Sequence, residues 1–157
     1  AVGTLGTNSR FNSIHTSWRS GYFRAWQHET AVRDALGQIS RDAGIATNNS
    51  IGPQVANRPV LVAVENYRSP MNLSHLALVD YVLLDLVDCR LYQTTEPRRD
   101  YAELVLSILD TGWLEIVQWN DRVLLLRQDR SSQAGKDFQE IRTYVHELVE
   151  KERPCWP

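Results

Sequence analysis

The sequence is poor in cysteine and has no surplus of positive charge. Its 157 residues include two cysteines, Cys89 and Cys155, and neither has a CxxC partner or a histidine at ligand spacing. A zinc site is therefore not indicated, and the thiols are either free or joined in one disulfide, depending on the redox compartment. The formal net charge is -2, without the basic surplus that binding to a phosphate backbone requires. We expect no nucleic-acid partner.

Long apolar runs are also missing. The most apolar stretch, Leu76 to Val87, contains Asp80 and Asp85 and is shorter than the roughly 20 residues that a membrane-spanning helix needs. The first residues are small and polar, without the basic and then apolar pattern of a signal peptide. We expect these residues to lie outside the bilayer and to belong to a longer protein.

Familiar catalytic patterns do not occur. There is no GxGxxG or GxxxxGK[ST] loop, no HExxH and no GxSxG, which are the patterns of nucleotide sites, zinc proteases and serine hydrolases. The histidines stand singly, and a lone histidine is far more often structural than catalytic. The four are His15, His28, His75 and His146. We therefore predict no catalytic residue, no metal ligand and no cofactor in this chain.

The composition that remains is that of one ordinary globular domain. Hydrophobic residues make up 43% and charged residues 23%, close to globular averages. The chain is long enough to form a stable hydrophobic core without disulfides or metal ions. Residues 1–28 are irregular and mix aromatic side chains with arginines, which predicts an arm. Its rings either pack on the domain or meet a lipid headgroup boundary. Residues 29–157 are expected to form a single α/β domain.

The first half of that domain predicts one helix and three strands. Apolar residues at helical spacing indicate a helix from Glu29 to Ala43, with Gly44 as its left-handed cap. A short buried strand follows at 45–49, then a brief helical turn from Ile51 and a second strand at 59–64. The apolar run 81–86 is typical of a strand covered on both faces, so we expect it at the centre of the sheet.

The second half predicts two helices around a hairpin. A helix that starts near Pro97 carries an apolar stripe and closes at Gly112. Segments 113–119 and 122–128 are expected to pair antiparallel through a turn at Asn120-Asp121. A last helix follows and is stopped by Pro154. The predicted fold is a layered α/β sandwich, with a mixed, mostly parallel sheet of about five strands, a C-terminal antiparallel hairpin and flanking helices.

Polar side chains gather around the ends of the predicted strands. Asp80, Asp85 and Asp88 surround the central strand, and strand parity puts Asp85 on the same face as Tyr81 and Leu83. If the first and central strands are parallel neighbours, Asp85 shares an end of the sheet with the residues beyond the first strand. The predicted binding set is Asn48, Asn49, Gln54, Asn57, Arg58 and Asp85. The alternatives are an aspartate that caps a loop or pairs with an arginine, and asparagines that serve a turn.

The order of several segments resembles a known family. The segments are 22–24, 31–39, 46–58, 80–86 and 123–127. They resemble the C-terminal soluble region of the prokaryotic multi-spanning membrane proteins called domain of unknown function two thousand and seventy-nine. The family has Pro-His-Leu and then Arg after the first strand, whereas this chain keeps Pro53 and Arg58 but has Gln54 in place of the histidine.

The resemblance implies a membrane context. It implies transmembrane helices upstream, similar to polytopic glycosyltransferases that use lipid-phosphate sugars and carry their catalytic acids in the membrane part. The expected function is an accessory or binding domain on the extracytoplasmic face of a prokaryotic cell membrane, with the upstream helices and a glycan or lipid-linked sugar as partners. One alternative is a domain that completes a glycosyltransferase site through Asn48, Asn49, Arg58 and Asp85. Another is an independent soluble α/β enzyme or small-ligand binder.

Overall fold

The computed structural model describes residues 26–64, 73–87, 95–129 and 138–150. Most of the predicted arm, Asp88, both cysteines and Pro154 lie outside the described residues. The expectations about the packing of the arm, the third aspartate of the cluster and the disulfide therefore stay predictions.

Five strands form one mixed sheet in the order β2-β1-β3-β5-β4. β1 pairs in parallel with both β2 and β3, while β5 is antiparallel to β3 and to β4. Four of the five strands therefore run in the same direction, and the predicted mixed sheet with a C-terminal hairpin is confirmed. The strands are β1 Ile45–Thr47, β2 Leu61–Ala63, β3 Tyr81–Asp85, β4 Leu114–Asn120 and β5 Val123–Gln128.

Helices cover both faces of this sheet. The described helix α1 covers 26–37, α2 is Thr95–Leu109 and α3 is Gln139–Glu150; short 3₁₀ helices lie at Gly52–Val55 and Leu73–Leu78. One core contains α1 residues with Leu83 and Leu125, and the other contains α2 and α3 residues with Val82, Leu84 and Leu126. Adjacent residues of β3 and β5 thus belong to opposite cores, which explains the consecutive apolar residues Val82 to Leu84 and Val123 to Leu126.

The predicted end of the first helix is wrong. Helical structure stops at Gly37, and turns occupy the residues up to Ala43. Gly44 is not a left-handed cap, because its φ is not positive. Its N–H donates to Asp80 Oδ2 at 2.8 Å. A Cβ on Gly44 would lie 3.2 Å from Leu78 O, Val60 Cβ and Val79 Cα. Close approach of neighbouring backbone, rather than a helix end, explains this glycine. Residues 26–28, which were assigned to the arm, are helical.

The hairpin turn lies one residue later than predicted. Asn120 still pairs with Val123, and the two turn residues are Asp121 and Arg122, with φ of 44° and 65°. Positive φ at both central residues is the type I′ geometry that matches the twist of a two-residue hairpin. The side chains secure the turn on two sides, since Asp121 contacts His28 of α1 and the Arg122 guanidinium lies 5.5 Å from the Tyr144 ring centre on α3.

The other predicted elements agree with the structure. β3 is the central strand, α2 is followed by Gly112 with a φ of 76°, and α3 is the predicted last helix. α2 and α3 pack on the same face of the sheet through one core cluster. Because β1 and β3 are parallel neighbours, their carboxyl ends lie side by side. The first described turn of α1 lies above them on the opposite face of the sheet.

Candidate functional site

Asn48 and Asp85 meet at the carboxyl edge of the two parallel strands β1 and β3. Asn48 is completely buried, and its Oδ1 accepts a hydrogen bond from the Asp85 N–H at 2.8 Å. The Asn48 Nδ2 donates to the Tyr101 hydroxyl at 2.8 Å and to the Asp85 carbonyl at 3.3 Å. The side chain thus replaces one rung of backbone pairing where β1 ends, and it satisfies polar groups that burial would otherwise leave unpaired.

The carboxylate of Asp85 has two partners. Its Oδ1 accepts from the Val87 N–H at 2.8 Å, which caps the turn after β3 in the way aspartates often do. Its Oδ2 lies 3.0 Å from His28 Nε2. The loop-cap interpretation of Asp85 is therefore confirmed, whereas its ionic partner is a histidine of α1 and not an arginine. Parity is also confirmed, because Tyr81 and Leu83 belong to the α1 side of the sheet.

His28 bridges two carboxylates. Its Nδ1 lies 3.2 Å from both the backbone oxygen and the Oδ2 of Asp121. Both ring nitrogens therefore face acceptors, an arrangement that only the doubly protonated imidazolium satisfies completely. The hydrogen bond to Asp85 and the charges of Asp85 and Asp121 raise the pKa of His28 to about 9, against an opposing effect of burial. We call His28, Asp85 and Asp121 the ion triad.

The charge state of the ion triad decides what chemistry it can do. A general base must be largely unprotonated near its working pH, but a histidine with a pKa of about 9 is protonated at neutral pH. The triad thus holds a cation between two anions and joins α1, the end of β3 and the hairpin turn. Its geometry is that of a structural ion-pair network at the edge of the sheet.

A pocket opens beside the ion triad. It has a volume of about 390 Å³ and is formed by the first described turns of α1 and by the β4–β5 turn, within the range usual for small-molecule sites. Trp26 forms part of its wall and is 56% exposed. The lining residues are Trp26, Gln27, Thr30, Ala31, Asn120 and Asp121.

The six predicted binding residues do not converge. Arg58 donates through Nη2 to the carbonyl of Ile39 at 3.3 Å, beyond the end of α1, and Asn49, Gln54 and Asn57 are exposed. The chain turns back after β1, because Val60 O accepts from Ile45 N–H at 2.9 Å at the start of that strand. Of the predicted set, the structure brings together Asn48 and Asp85.

The residues that sequence reasoning missed are Trp26, His28 and Asp121. His28 stood alone in the sequence, and no spacing rule connects it to carboxylates that lie 57 and 93 positions away. One signal was present, because a buried strand aspartate needs a partner from the element that covers its face. Here that element is α1.

Comparisons with known proteins add no relative. No protein-family model, curated protein sequence or solved structure matches this chain. Within the described ranges, no group of three or more His, Cys, Asp or Glu side chains is placed to hold a metal ion. In the same part of the chain, no helix is long and apolar enough to cross a bilayer.

Proposed function

We propose that this chain is an accessory, ligand-binding domain of a longer membrane protein, placed on the extracytoplasmic face of a prokaryotic membrane. The observation that carries the binding role is the state of the polar groups at the sheet edge. Both nitrogens of His28 and both oxygens of Asp85 are engaged, and Asn48 is engaged with backbone and Tyr101. These contacts hold the fold together and leave the neighbouring pocket as the open surface.

The membrane part of the proposal rests on the sequence resemblance. The order of segments between residues 22 and 128 is similar to the soluble region of the multi-spanning family named above. In that context the domain contacts the upstream transmembrane helices of the same chain. A glycan or lipid-linked sugar bound by those helices is the candidate ligand. The catalytic acids of such a parent would lie in its membrane part.

A topology experiment tests this placement. An alkaline phosphatase, which is active only outside the cytoplasm, is fused after Pro157 of the parent protein, and a fluorescent protein that needs the cytoplasm is fused at the same position in a second strain. We expect phosphatase activity without fluorescence. Fluorescence without phosphatase activity would contradict the proposal.

The alternative of a completed glycosyltransferase site now needs a different test from alanine scanning of the four residues first considered. Asn48, Arg58 and Asp85 have internal contacts, so loss of activity on their removal would also follow from loss of folding. The exposed Gln54 and Asn57 are better positions for this test. An accessory role predicts that their joint change to alanine leaves the cellular activity of the parent unchanged, whereas a contribution to the active site predicts its loss.

A further inference from the structure

We infer that the pocket beside the ion triad binds a small organic cation, an alkylammonium group held between the indole of Trp26 and the carboxylate of Asp121. This inference rests on the binding role proposed above, but the ligand class comes from the pocket itself and differs from the glycan or lipid-linked sugar that the resemblance implies. It concerns residues outside the set predicted from the sequence, since the wall is formed by α1 and the hairpin turn.

The aromatic wall is the first reason. A tryptophan that is 56% exposed on a concave surface leaves a large apolar face in water, which is unusual for this residue type. The face of an indole attracts ammonium groups more strongly than any other aromatic side chain. The Trp26 carbonyl accepts from Thr30 Oγ1 at 2.8 Å within the helix, so the backbone that carries the ring is regular.

A carboxylate that lines the same pocket is the second reason. Asp121 is 41% exposed at its side chain, and its Oδ2 is occupied by His28. Its Oδ1 has no hydrogen bond with any described residue. The type I′ turn and the contact with His28 fix the position of this oxygen, so that a bound cation would meet a carboxylate that is already oriented.

The charge around the pocket is the third reason. The six lining residues include no lysine or arginine. Of the described arginines that are close in sequence to the lining residues, Arg122 lies over Tyr144 and Arg33 pairs with Glu29 at 2.7 Å. Two carboxylates and one imidazolium leave the ion triad with one negative charge. A cation is therefore favoured over an anion at this position.

A neutral sugar is the competing ligand, because its ring could stack on Trp26 and hydrogen-bond to the amides of Gln27 and Asn120. The two ligand classes differ in charge dependence. Binding of an ammonium group should require its charge and that of Asp121, whereas binding of a sugar should require neither.

The experiment follows the indole N–H resonance of Trp26 in the ¹⁵N-labelled chain, assigned with the Trp26→Phe variant. Choline is titrated against its neutral isostere 3,3-dimethylbutanol and against glucose, at constant ionic strength. We expect a saturable shift with choline. Both neutral compounds should bind at least about tenfold more weakly, because they lack the free energy of one cation–π contact and its ion pair. An equal response to the isostere, a response to glucose alone, or no saturable shift would overturn the inference.

Two variants and a control complete the test. Asp121→Asn keeps a residue that tolerates positive φ and should weaken choline binding about tenfold, while Asp110→Asn, which removes an exposed carboxylate paired with Arg142, should not change it. Trp26→Leu, in which binding is followed by the backbone amide resonance of the lining residue Asn120 because the indole signal is absent, tests the exposed wall independently, should the turn variant fold poorly. Unchanged choline binding in Trp26→Leu would contradict the inference. The topology experiment is unaffected by any of these results, so the two proposals fail separately.

Discussion

The imidazole Nε2 of His28 lies 3.0 Å from the carboxylate of Asp85, which joins the first helix to the end of the central strand. The same ring reaches Asp121 in the hairpin turn. Three segments that are far apart in the chain are thus held by one side chain. The arrangement explains how a strand can carry an aspartate on a covered face, because an unpaired buried carboxylate would be costly.

The first prediction concerns pH. The pKa of His28 is raised from 6.5 to about 9 by its carboxylate partners, so the stabilisation is fully present below pH 6.5 and is lost as the pH rises through 9. Because solvent partly screens the ion triad, we expect about 1–2 kcal/mol rather than the full value of the shift. Urea unfolding of the wild type and of His28→Gln at pH 6 and pH 10 measures it. The stability difference between the two proteins should shrink at pH 10; a difference independent of pH would show that His28 is neutral.

The second prediction concerns Asn48. Its change to alanine removes the acceptor of the buried Asp85 N–H and the amide that donates to the Tyr101 hydroxyl, which should lower the free energy of unfolding by about 1–3 kcal/mol. Asn57→Ala is the matched control, since Asn57 is exposed and should change stability by less than about 0.5 kcal/mol. Equal effects of both substitutions in urea unfolding would mean that the hydrogen bond between the Asp85 N–H and Asn48 Oδ1 does not contribute to stability.

The third prediction concerns Gly44. An alanine there would place its Cβ 3.2 Å from atoms of Val60, Leu78 and Val79, two of which belong to backbone. The backbone of Leu78 and Val79 cannot easily move, because the next two N–H groups, those of Asp80 and Tyr81, donate to Gly44 O, so we expect a loss of about 1–3 kcal/mol. Gly37→Ala meets nothing within 4 Å and should be neutral or stabilising by up to about 1 kcal/mol. In thermal unfolding, Gly44→Ala should lower the Tm strongly, whereas Gly37→Ala should leave the Tm unchanged or raise it. If Gly44 were a helix cap in open space, no such contact penalty would arise.

The fourth prediction locates the hairpin turn. Arg122 has a φ of 65°, which costs about 1–2 kcal/mol for a residue with a Cβ, while its exposed contact with Tyr144 returns about 0.5–1 kcal/mol. Relief of strain is the larger effect, so Arg122→Gly should stabilise the protein by about 0.5–1 kcal/mol. Asn120→Gly should destabilise it, because Asn120 is paired in β4 and glycine weakens strands. The opposite order of the two variants in chemical unfolding would place the turn at Asn120-Asp121.

Much of the fold was predictable because it depends on local patterns. The apolar run in β3, broken only by Asp85, indicated two covered faces, and the spacing in α2 indicated an amphipathic helix. The errors occurred where a local signal has two causes. Gly44 was interpreted as a helix cap, but it serves close packing of the chain against Val79. The turn residues 120 and 121 fit a hairpin equally well in the register that is one position earlier.

The site was predictable only in part. The expectation that β1 and β3 are parallel neighbours brought Asn48 and Asp85 to the same edge, as the structure does. Arg58 was misplaced because its position depends on how the chain returns to the start of β2, which sequence spacing does not record. Trp26 was assigned to an arm, although it is a helical residue on the wall of the pocket.

The sequence by itself determined the class of this protein: a mixed α/β sheet with flanking helices, a formal net charge of -2, and an aspartate at the end of its central strand. These properties follow from periodicity and composition, which act over a few neighbouring residues. Only the tertiary structure decided that His28 is the partner of that aspartate, that Asp121 completes the ion triad and that Trp26 faces a pocket beside it. Contacts between residues more than fifty positions apart depend on crossing helices and strand register, and no local pattern encodes them.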